Sequence, residues 1–421
     1  MATSAALEKA IEFTIPFNAR QNKDLKLLSL FSGCGGMDLG FEGGFKILKS
    51  SSNPAWDTMP TTNRYFVQLP QTRFNTVFAN DIRKDARTAW NYYFQRKGIE
   101  DIYHLDSIVD LVKLHKDSFA KVFPENVDIV TGGFPCQDFS VSGKRLGFKS
   151  DKCHNGKNHN GQPSIESRGQ LYMWMREVIS ITMPKIFIAE NVKGLANLED
   201  VKEIIENDFR SINGNGYLVI PAKVLHAADY GVPQSRERVI FYGFRKDALT
   251  KNAYKELSST HISPTYDPYP IPTHKNNYVT VAQALIGLAE PENSGDLSQQ
   301  KYSKAKFMGK HCQGQSEISL DKIGPTIRSE HHGNIEFRRL SKENGGKHEH
   351  HLPERRLTVR ECARIQTFPD DYKFVFTDRF TGQGVSASDA YKLIGNAVPP
   401  LLAYHIARRL EENWNLYFGG V

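Results

Sequence analysis

One cysteine of this sequence stands where it could act as a nucleophile. Cys136 lies in the segment GGFPCQDFS, directly after an apolar run at 127–131 that predicts a buried strand. A lone cysteine in such a place is usually buried and inert. Here the two glycines at 132–133 and Pro135 favour a shaped, exposed loop at the carboxyl edge of a sheet, where ligands bind. A thiolate in that loop could form a covalent bond with a substrate.

A carboxyl group and two arginines stand beside two further predicted strands. Glu190 directly follows the apolar run 185–189, where it could act as a general acid or simply cap a helix. The segment QSRER precedes another apolar run, and Arg236 or Arg238 could stabilise negative charge on a substrate oxygen. Each group also has a structural explanation. Three polar clusters that each adjoin a core strand nevertheless indicate a catalytic site.

A glycine-rich turn near the start of the chain predicts a cofactor site. The sequence DLKLLSLFSGCGGMDLGF (24–41) is typical of a strand, a tight turn and a helix, which open a nucleotide-binding α/β unit. Gly33, Gly35 and Gly36 would allow a ligand to approach the backbone closely. Taken alone, the turn fits a sharp structural bend equally well.

Side chains around this turn match the parts of S-adenosylmethionine. Asp81 ends a predicted strand, at the place where a doubly wound fold binds ribose hydroxyl groups. Phe31 and Ile82 could hold the purine between them, and Asp106 could accept a hydrogen bond from its amino group. Such a set of side chains could bind the ribose and the adenine of S-adenosylmethionine.

The order of the predicted elements indicates the fold class. Strands are predicted at 27–31, 76–79, 127–131, 185–189 and 239–242, with helices between them that include 171–181 and 201–213. Strands that alternate with helices predict an α/β fold with a doubly wound, mostly parallel sheet. We assign residues 24–250 to this catalytic and cofactor-binding domain.

A change of composition after residue 250 predicts a second domain. Residues 251–355 are rich in Ser, His, Asn, Pro and Gly, and only 279–289 shows a helical period. We expect a smaller, irregular, β-containing domain there. Helical patterns return in the C-terminal segment, 356–421, which we expect to rejoin the first domain.

The composition favours a polyanionic partner without establishing one. The chain of 421 residues carries a net charge of +7, and its basic residues are concentrated in 142–168 and 322–360. Five widely spaced cysteines predict neither a disulfide framework nor a metal site, and His348, His350 and His351 are more typical of a solvated loop. No apolar run is long enough to cross a membrane and the N-terminus shows no secretory pattern, so we expect a cytoplasmic protein.

Together and in order, these segments resemble the cytosine-5 DNA methyltransferase family of bacterial restriction-modification systems. FSGCGGMDLGF resembles its cofactor loop, GGFPCQDFS its nucleophile loop, ENVKG its glutamate motif and ADYGVPQSRERVIFYGF its arginine motif. LTVRECARIQTFPD and YKLIGNAVPP resemble its last two motifs. The resemblance covers most of 26–250 and 356–400. It implies the S-adenosylmethionine-dependent methyltransferase fold.

The resemblance implies DNA (cytosine-5-)-methyltransferase activity on a flipped-out cytosine in double-stranded DNA. Cys136 would add to C6 of the base and Glu190 would contact N3, while Arg236 and Arg238 would line the base pocket, with Arg238 directed at O2. The implied S-adenosylmethionine-binding residues are Phe31, Ser32, Gly33, Cys34, Gly35, Gly36, Asp81, Ile82, Asp106, Ser107, Pro135, Asn396 and Ala397. No metal is implied.

The resemblance also assigns the two large variable regions. Residues 142–168 would form a loop that closes on DNA, and 251–355 would be the target recognition domain. The functional counterpart would be a restriction endonuclease, and the enzyme is expected to be a monomer. Two segments depart from the family pattern: an insertion at 45–75, to which the sequence assigns no role, and a polar extension at 153–164.

Two other functions stay open at this point. One is a tRNA cytosine-5 methyltransferase of the same fold, which the length of 251–355 disfavours. The other is a non-catalytic DNA-binding module, which the intact set of Cys136, Glu190 and Arg238 disfavours, since a binding protein does not need these residues.

Overall fold

A computed structural model describes residues 25–96, 98, 102–118, 120–135, 171–196, 201–329, 335–347, 353–377 and 384–419. Cys136, the predicted closing loop at 142–168 and the three histidines at 348–351 lie outside the described residues. No helix in the described ranges is long and apolar enough to cross a membrane.

The strands are numbered in chain order. They are β1 (Leu25–Leu30), β2 (Lys46–Leu48), β3 (Met59–Pro60), β4 (Phe66–Gln68), β5 (Phe74–Asn80), β6 (Tyr103–His104), β7 (Ile129–Gly133), β8 (Ile186–Val192), β9 (Tyr217–His226), β10 (Glu237–Arg245), β11 (Phe337–Arg339), β12 (Arg355–Arg356), β13 (Phe376–Thr377) and β14 (Gly384–Val385).

The α-helices are numbered in the same way. They are α1 (Gly36–Glu42), α2 (Lys84–Phe94), α3 (Ile108–Ser118), α4 (Leu171–Thr182), α5 (Lys193–Ala196), α6 (Val201–Arg210), α7 (Lys251–Leu257), α8 (Val281–Ala284), α9 (Leu297–Gln300), α10 (Val359–Ile365), α11 (Ala387–Asn396), α12 (Pro400–Glu412) and α13 (Trp414–Phe418). Short 3-10 helices occur at Lys49–Ser51, Ala227–Tyr230, Lys246–Ala248 and Pro291–Asn293.

Seven strands form the central sheet, in the order β6-β5-β1-β7-β8-β10-β9. The five strands from β6 to β8 pair in parallel, whereas β10 runs antiparallel between β8 and β9. The smaller antiparallel sheets are β2-β4-β3, β11-β12 and β13-β14. The predicted fold class, an α/β fold with a doubly wound, mostly parallel sheet and smaller β elements, is confirmed.

Both faces of the sheet are covered, as the apolar character of its strands requires. Side chains alternate between the faces of a strand. In β8, Ile186 and Ile188 therefore join one apolar core, whereas Phe187 and Ala189 join the other. Strand β9 was not predicted, because Pro221 and Lys223 interrupt its apolar pattern; an edge strand tolerates both residues.

The carboxyl ends of four strands meet at one edge of the sheet. Leu30 at the end of β1 pairs with Asn80 of β5 and with Gly132 of β7. One residue further along β7, Gly133 pairs with Glu190 of β8. The turn at 31–36, the segment that starts at 81 and the loop that starts at 134 therefore leave the sheet side by side.

The C-terminal helix α12 packs against α1, which follows the turn at 31–36. Gly40 makes this close packing possible, because a Cβ atom there would lie 2.4 Å from the Cβ atom of Ala403. The helix α7 begins the interval 251–355, which the sequence analysis assigned to a second domain, and it packs against α13. The amide of Thr250, just before α7, donates to the carbonyl of Tyr417. The domain boundaries at 250 and 355 stay predictions.

The insertion at 45–75 forms the small sheet β2-β4-β3. It connects the end of α1 with the start of β5, so it lies toward the sheet edge opposite the turn at 31–36. Its Trp56 ring packs edge-on against Tyr404 of α12, with ring centroids 4.8 Å apart. The insertion therefore extends the apolar core beneath α12.

Candidate active site

Glu190 and Arg238 form a buried ion pair at the carboxyl edge of the sheet. The distance from Arg238 Nε to Glu190 Oε1 is 2.6 Å, and both side chains are almost fully enclosed. The two residues meet because β10 runs beside β8, with Arg238 opposite Val192. Burial raises the pKa of Glu190, although the charges of Arg238 and Arg236 act in the opposite direction. A carboxyl group in this setting can hold a proton for transfer to a substrate.

The start of the predicted nucleophile loop lies directly over this pair. A Cβ atom on Gly133 would stand 2.8 Å from Glu190 Oε2, so the position has no room for a side chain. Asn191 Nδ2 donates to the carbonyl of Phe134 at 3.2 Å and fixes the loop to β8. Pro135, the last described residue of the loop, follows at once, and Cys136 lies just outside the described residues.

Arg236 is buried and directed at backbone carbonyls. Its Nη1 donates to Ile327 at 3.0 Å, and its Nη2 donates to Gly395 at 2.8 Å and to Ala397 at 2.9 Å. The side chain thus joins the start of β10 to the segment around 327 and to the end of α11. Arg236 was predicted to line the base pocket, and that contact stays a prediction.

Two glutamines that the sequence analysis did not single out complete this junction. Gln234 Oε1 accepts from the amide of Ile327 at 3.0 Å, and its Nε2 bonds to Gln366 Oε1. Gln366 Nε2 in turn donates to the carbonyl of Ala397 at 2.6 Å. Both glutamines are buried. Their position inside the motifs QSRER and IQTFPD was the signal available in the sequence.

The turn after β1 is tied to the residues that follow β5. The amide of Ser32 donates to the carbonyl of Asn80 at 2.8 Å. The amide of Gly33 donates to Asp81 Oδ2 at 3.1 Å, and the amide of Arg83 donates to Asp81 Oδ1 at 3.0 Å. Burial raises the pKa of Asp81, while these two amides act to lower it.

An open space adjoins Gly33. This residue has a φ of +55°, and a Cβ atom built on it would meet no described atom within 4 Å. Ile82, beside Asp81, leaves 45% of its surface exposed, and Phe31 is half-buried. Asp81 suits the hydroxyl groups of a ligand, and Phe31 and Ile82 suit a flat apolar ring beside the backbone of Gly33.

Other predicted cofactor residues have internal partners. The Cys34 side chain is buried with Sγ 3.6 Å from the carbonyl of Leu393, and burial raises its pKa, so only its backbone is available to a ligand. A Cβ atom on Gly36 would come within 2.4 Å of the carbonyl of Val398. One on Gly35 would come within 2.6 Å of Trp90 Cδ1. These two glycines are required for packing.

The predicted adenine-side residues lie beyond β6. Asp106 is exposed, and its carbonyl accepts from Asn80 Nδ2 at 2.8 Å, a link that the sequence analysis missed. Ser107 is buried, and its Oγ accepts from the amide of Val109 in the first turn of α3. Asn396 is exposed at the end of α11. No group of three His, Cys, Asp or Glu side chains in the described ranges could hold a metal ion.

The sheet order with one antiparallel strand between β8 and β9, and the polar groups at its carboxyl edge, define the class of S-adenosylmethionine-dependent methyltransferase folds. A solved structure of S. pombe Dnmt2 methyltransferase has the same fold, with a TM-score of 0.54 and 17% identity over 93% of this chain and 99% of that one. A solved structure of the Entamoeba histolytica methyltransferase EhMeth gives a TM-score of 0.54 and 16% identity over the same shares.

The family follows from the comparison of sequences. The model of the C-5 cytosine-specific DNA methylases matches residues 25–412. The chain is 32% identical to the Type II methyltransferase M.BsuRI of Bacillus subtilis over 94% of its length and 80% of that protein. It is 30% identical to M.NgoPII of Neisseria gonorrhoeae over 92% of its length and 96% of that protein. The chain belongs to the C-5 cytosine-specific DNA methylases, and it is a DNA (cytosine-5-)-methyltransferase, as the sequence motifs predicted.

Proposed function

We propose that this enzyme methylates C5 of a cytosine flipped out of a defined sequence in duplex DNA, through a covalent bond between Cys136 and C6. The buried pair of Glu190 and Arg238, with the nucleophile loop beginning directly over it, is the observation that carries the proposal. The relatives reported above are named Type II methyltransferases, so a restriction endonuclease that recognises the same sequence is the expected counterpart. We expect the enzyme to act as a monomer in the cytoplasm.

The proposed chemistry begins with the thiolate of Cys136. It adds to C6 of the ring while Glu190 gives a proton to N3, so the electron pair of the C5–C6 bond becomes available at C5. Arg238 holds the carboxyl group of Glu190 in place and stabilises negative charge on O2. After methylation, the C5 proton is lost to a base, the Cys136 thiolate leaves C6 and the N3 proton returns to Glu190, which restores the neutral aromatic ring.

The edge beside Gly33 fits S-adenosylmethionine, which would supply the methyl group when bound. Asp81 would accept hydrogen bonds from the ribose, and Phe31 and Ile82 would enclose the adenine. The open space at Gly33 would receive the methionine part, because no side chain of the described residues fills it. The other predicted contacts, Ser32, Cys34, Gly35, Gly36, Asp106, Ser107, Pro135, Asn396 and Ala397, stay part of this proposal.

A row of lysines in the predicted target recognition domain supports a DNA partner. Lys304, Lys306 and Lys310 are exposed, and Met308 between them leaves 63% of its surface exposed. The residues between Lys304, Lys306 and Met308 are less exposed, so these three side chains share one side of an extended segment, and Lys310 follows in a turn. The sequence from 297 to 316 contains no acid. We call Lys304, Lys306 and Lys310 the lysine row.

Arg356 holds the backbone beneath the lysine row. This buried side chain donates from Nε to the carbonyl of Ala305 at 3.0 Å and from Nη2 to Lys306 at 3.1 Å. Its Nη1 donates to the carbonyl of Gly314 at 2.7 Å. With its main chain fixed in this way, the segment presents its ammonium groups to solvent, where they can contact DNA phosphates.

A covalent trapping assay tests the proposed chemistry. The protein is incubated with S-adenosylmethionine and a library of duplex DNA that contains 5-fluorocytosine, because fluorine at C5 blocks release of the enzyme. We expect a denaturation-resistant adduct with the wild-type protein and none with Cys136→Ser, and sequencing of the trapped DNA gives the target. An adduct that forms only with tRNA would establish the tRNA enzyme instead, and an adduct that persists in Cys136→Ser would refute the assignment of the nucleophile.

A further inference from the structure

Asp38 is a carboxyl group enclosed beneath the turn at 31–36. It belongs to the first turn of α1 and has no exposed surface. The largest influences on its pKa are burial, the hydrogen bonds from Ser29 and Trp90 and the charge of Glu42, and no cationic side chain is among them. An acid buried without a cation is unfavourable for folding, which suggests that it is retained for another reason.

One oxygen of Asp38 reaches the first half of the turn through two serines. Ser29 Oγ donates to Asp38 Oδ1 at 2.5 Å, and Ser32 Oγ lies 2.8 Å from Ser29 Oγ. Ser32 Oγ also accepts from the amide of Asn80 at 3.3 Å. This chain of hydrogen bonds connects the acid to the place where the turn meets β5.

The other oxygen reaches the second half of the turn through Trp90. Trp90 Nε1 donates to Asp38 Oδ2 at 2.8 Å, which places the indole against Gly35. The Trp90 ring also packs against Tyr103, with ring centroids 5.6 Å apart, and the Tyr103 hydroxyl donates to the carbonyl of Gly33 at 2.8 Å. Asp38 is therefore connected to both halves of the turn by hydrogen bonds and ring packing.

The turn needs such support because of its backbone conformation. Phe31, Gly33 and Gly35 have φ angles of 54°, 55° and 78°, so three of its residues occupy the left-handed region. For Phe31, which has a side chain, this conformation carries a cost in free energy that the surrounding contacts must offset.

We propose that Asp38 is a positioning residue for cofactor binding, which sets the conformation of the turn at 31–36 through Ser29 and Trp90. The inference rests on the proposed binding of S-adenosylmethionine at Gly33 and Asp81. Asp38 lies below the turn and touches no part of the open space, so its effect is on affinity for the cofactor, with a smaller effect on methyl transfer at saturation.

The charge state of Asp38 gives this role a distinct dependence on pH. Burial raises the pKa of Asp38 to about 6, the hydrogen bonds from Ser29 and Trp90 act to lower it, and the charge of Glu42 raises it. The other titratable groups that sense Asp38 are Cys34, Tyr103 and Tyr372, and burial raises the pKa of each, so they stay neutral in this range. The carboxylate is the better acceptor, so affinity for the cofactor should fall as the pH falls through about 6.

Calorimetric titration of S-adenosylhomocysteine into the full chain tests the proposal. For Asp38→Asn we expect affinity to fall about tenfold, the scale of one hydrogen bond to a charged group, while kcat at saturating S-adenosylmethionine changes less. The matched control is Asp128→Asn. Asp128 accepts from the amide of Lys26 at 2.9 Å and pairs with Lys185 at the opposite edge of the sheet, so its loss should leave affinity unchanged.

The pH profile separates positioning from a general loss of stability. The wild-type affinity should show a component with a midpoint near 6 that Asp38→Asn lacks and that Asp81→Asn retains. The indole N–H resonance of Trp90, identified by its absence in Trp90→Phe, should follow the same midpoint and shift when S-adenosylhomocysteine binds. Trp90→Phe removes the donor and keeps an aromatic ring at this buried position, so it provides a second measurement of affinity if Asp38→Asn does not fold.

The outcomes are distinguishable. Failure of the wild-type protein to bind S-adenosylhomocysteine would contradict the proposed function itself. Normal wild-type binding together with unchanged affinity and an unchanged pH profile in Asp38→Asn, or in Trp90→Phe, would overturn the role of Asp38 alone. Equal losses in the Asp38 and Asp128 variants would assign both acids to stability.

Discussion

Arg238 and Glu190 approach each other to 2.6 Å in a corner of the sheet edge that excludes most solvent. Burial raises the pKa of Glu190, whereas the positive charge of Arg238 acts to lower it. Burial therefore favours the protonated form of Glu190 more than in an exposed carboxyl group, while Arg238 fixes the orientation of the carboxyl group.

Replacement of Arg238 by Ala should lower kcat about 100-fold, the usual scale for loss of one donor to a developing negative charge. The pKa of Glu190 should rise further because the opposing charge is removed, so the alkaline limit set by Glu190 in a plot of kcat against pH should move to higher pH. Arg238→Lys keeps the positive charge, so its alkaline limit should lie between those of the wild-type protein and Arg238→Ala. A profile that does not move in Arg238→Ala would show that Glu190 is not the titrating acid.

Replacement of Arg236 by Ala should act mainly on stability. Three backbone carbonyls lose their donor inside the protein, and we expect the free energy of unfolding to fall by about 3 kcal/mol or more. Urea unfolding of the Arg236 and Arg238 variants measures the difference. A stable Arg236→Ala protein without activity would instead place this arginine in contact with the base.

Replacement of Gly133 by Ala should displace the carboxyl group of Glu190, because the new Cβ atom would stand 2.8 Å from Oε2. A shift of about 1 Å at a catalytic group costs roughly 100-fold in rate, so we expect kcat to fall by that order while the melting temperature changes little. Gly295→Ala is the control, since Gly295 has no neighbour within 4 Å of a built Cβ atom. Full activity in Gly133→Ala would show that the site absorbs the methyl group.

Replacement of the lysine row by Gln should weaken DNA binding at all sequences. Each lost phosphate contact reduces the slope of log affinity against log salt concentration by about 0.9, so removal of all three should reduce it by about 2.7. The control variant, Lys251→Gln with Lys255→Gln, removes two exposed lysines from α7. If the slope is the same in both variants, the row does not contact phosphate groups.

The sequence predicted the main sheet well, because its parallel strands are short apolar runs that end in polar motifs. Asp81 follows β5 as predicted, whereas Glu190 lies inside β8, near its carboxyl end, because this strand continues to Val192. The different surroundings of Arg236 and Arg238 could not be predicted, since two arginines of one motif look alike until their partners are known. The partners of Arg236 lie about 90 and 160 residues away, at Ile327 and Gly395, whereas Arg238 pairs with Glu190.

The structures of 251–355 and of the insertion at 45–75 were harder to predict, because they too depend on contacts between residues that are distant in the sequence. In 251–355 the backbone is held by buried arginines rather than by long strands, and a fixed extended segment has no periodic signature. The insertion at 45–75 contains strands of two or three residues, which are too short to show alternation. Its packing on α12 depends on the contact between the rings of Trp56 and Tyr404, which are far apart in the sequence.

The close packing of Gly40 against Ala403 has a consequence for synthesis on the ribosome. The helix α1 is translated well before its partner α12, because most of the described residues lie between them in the sequence. A nascent or truncated chain that stops before α12 leaves the small-residue face of α1 uncovered, and contacts over such long separations form slowly. If the chain were divided into two fragments just before α12, the fragments would therefore have to associate before α12 could pack on α1, the helix that follows the turn at 31–36.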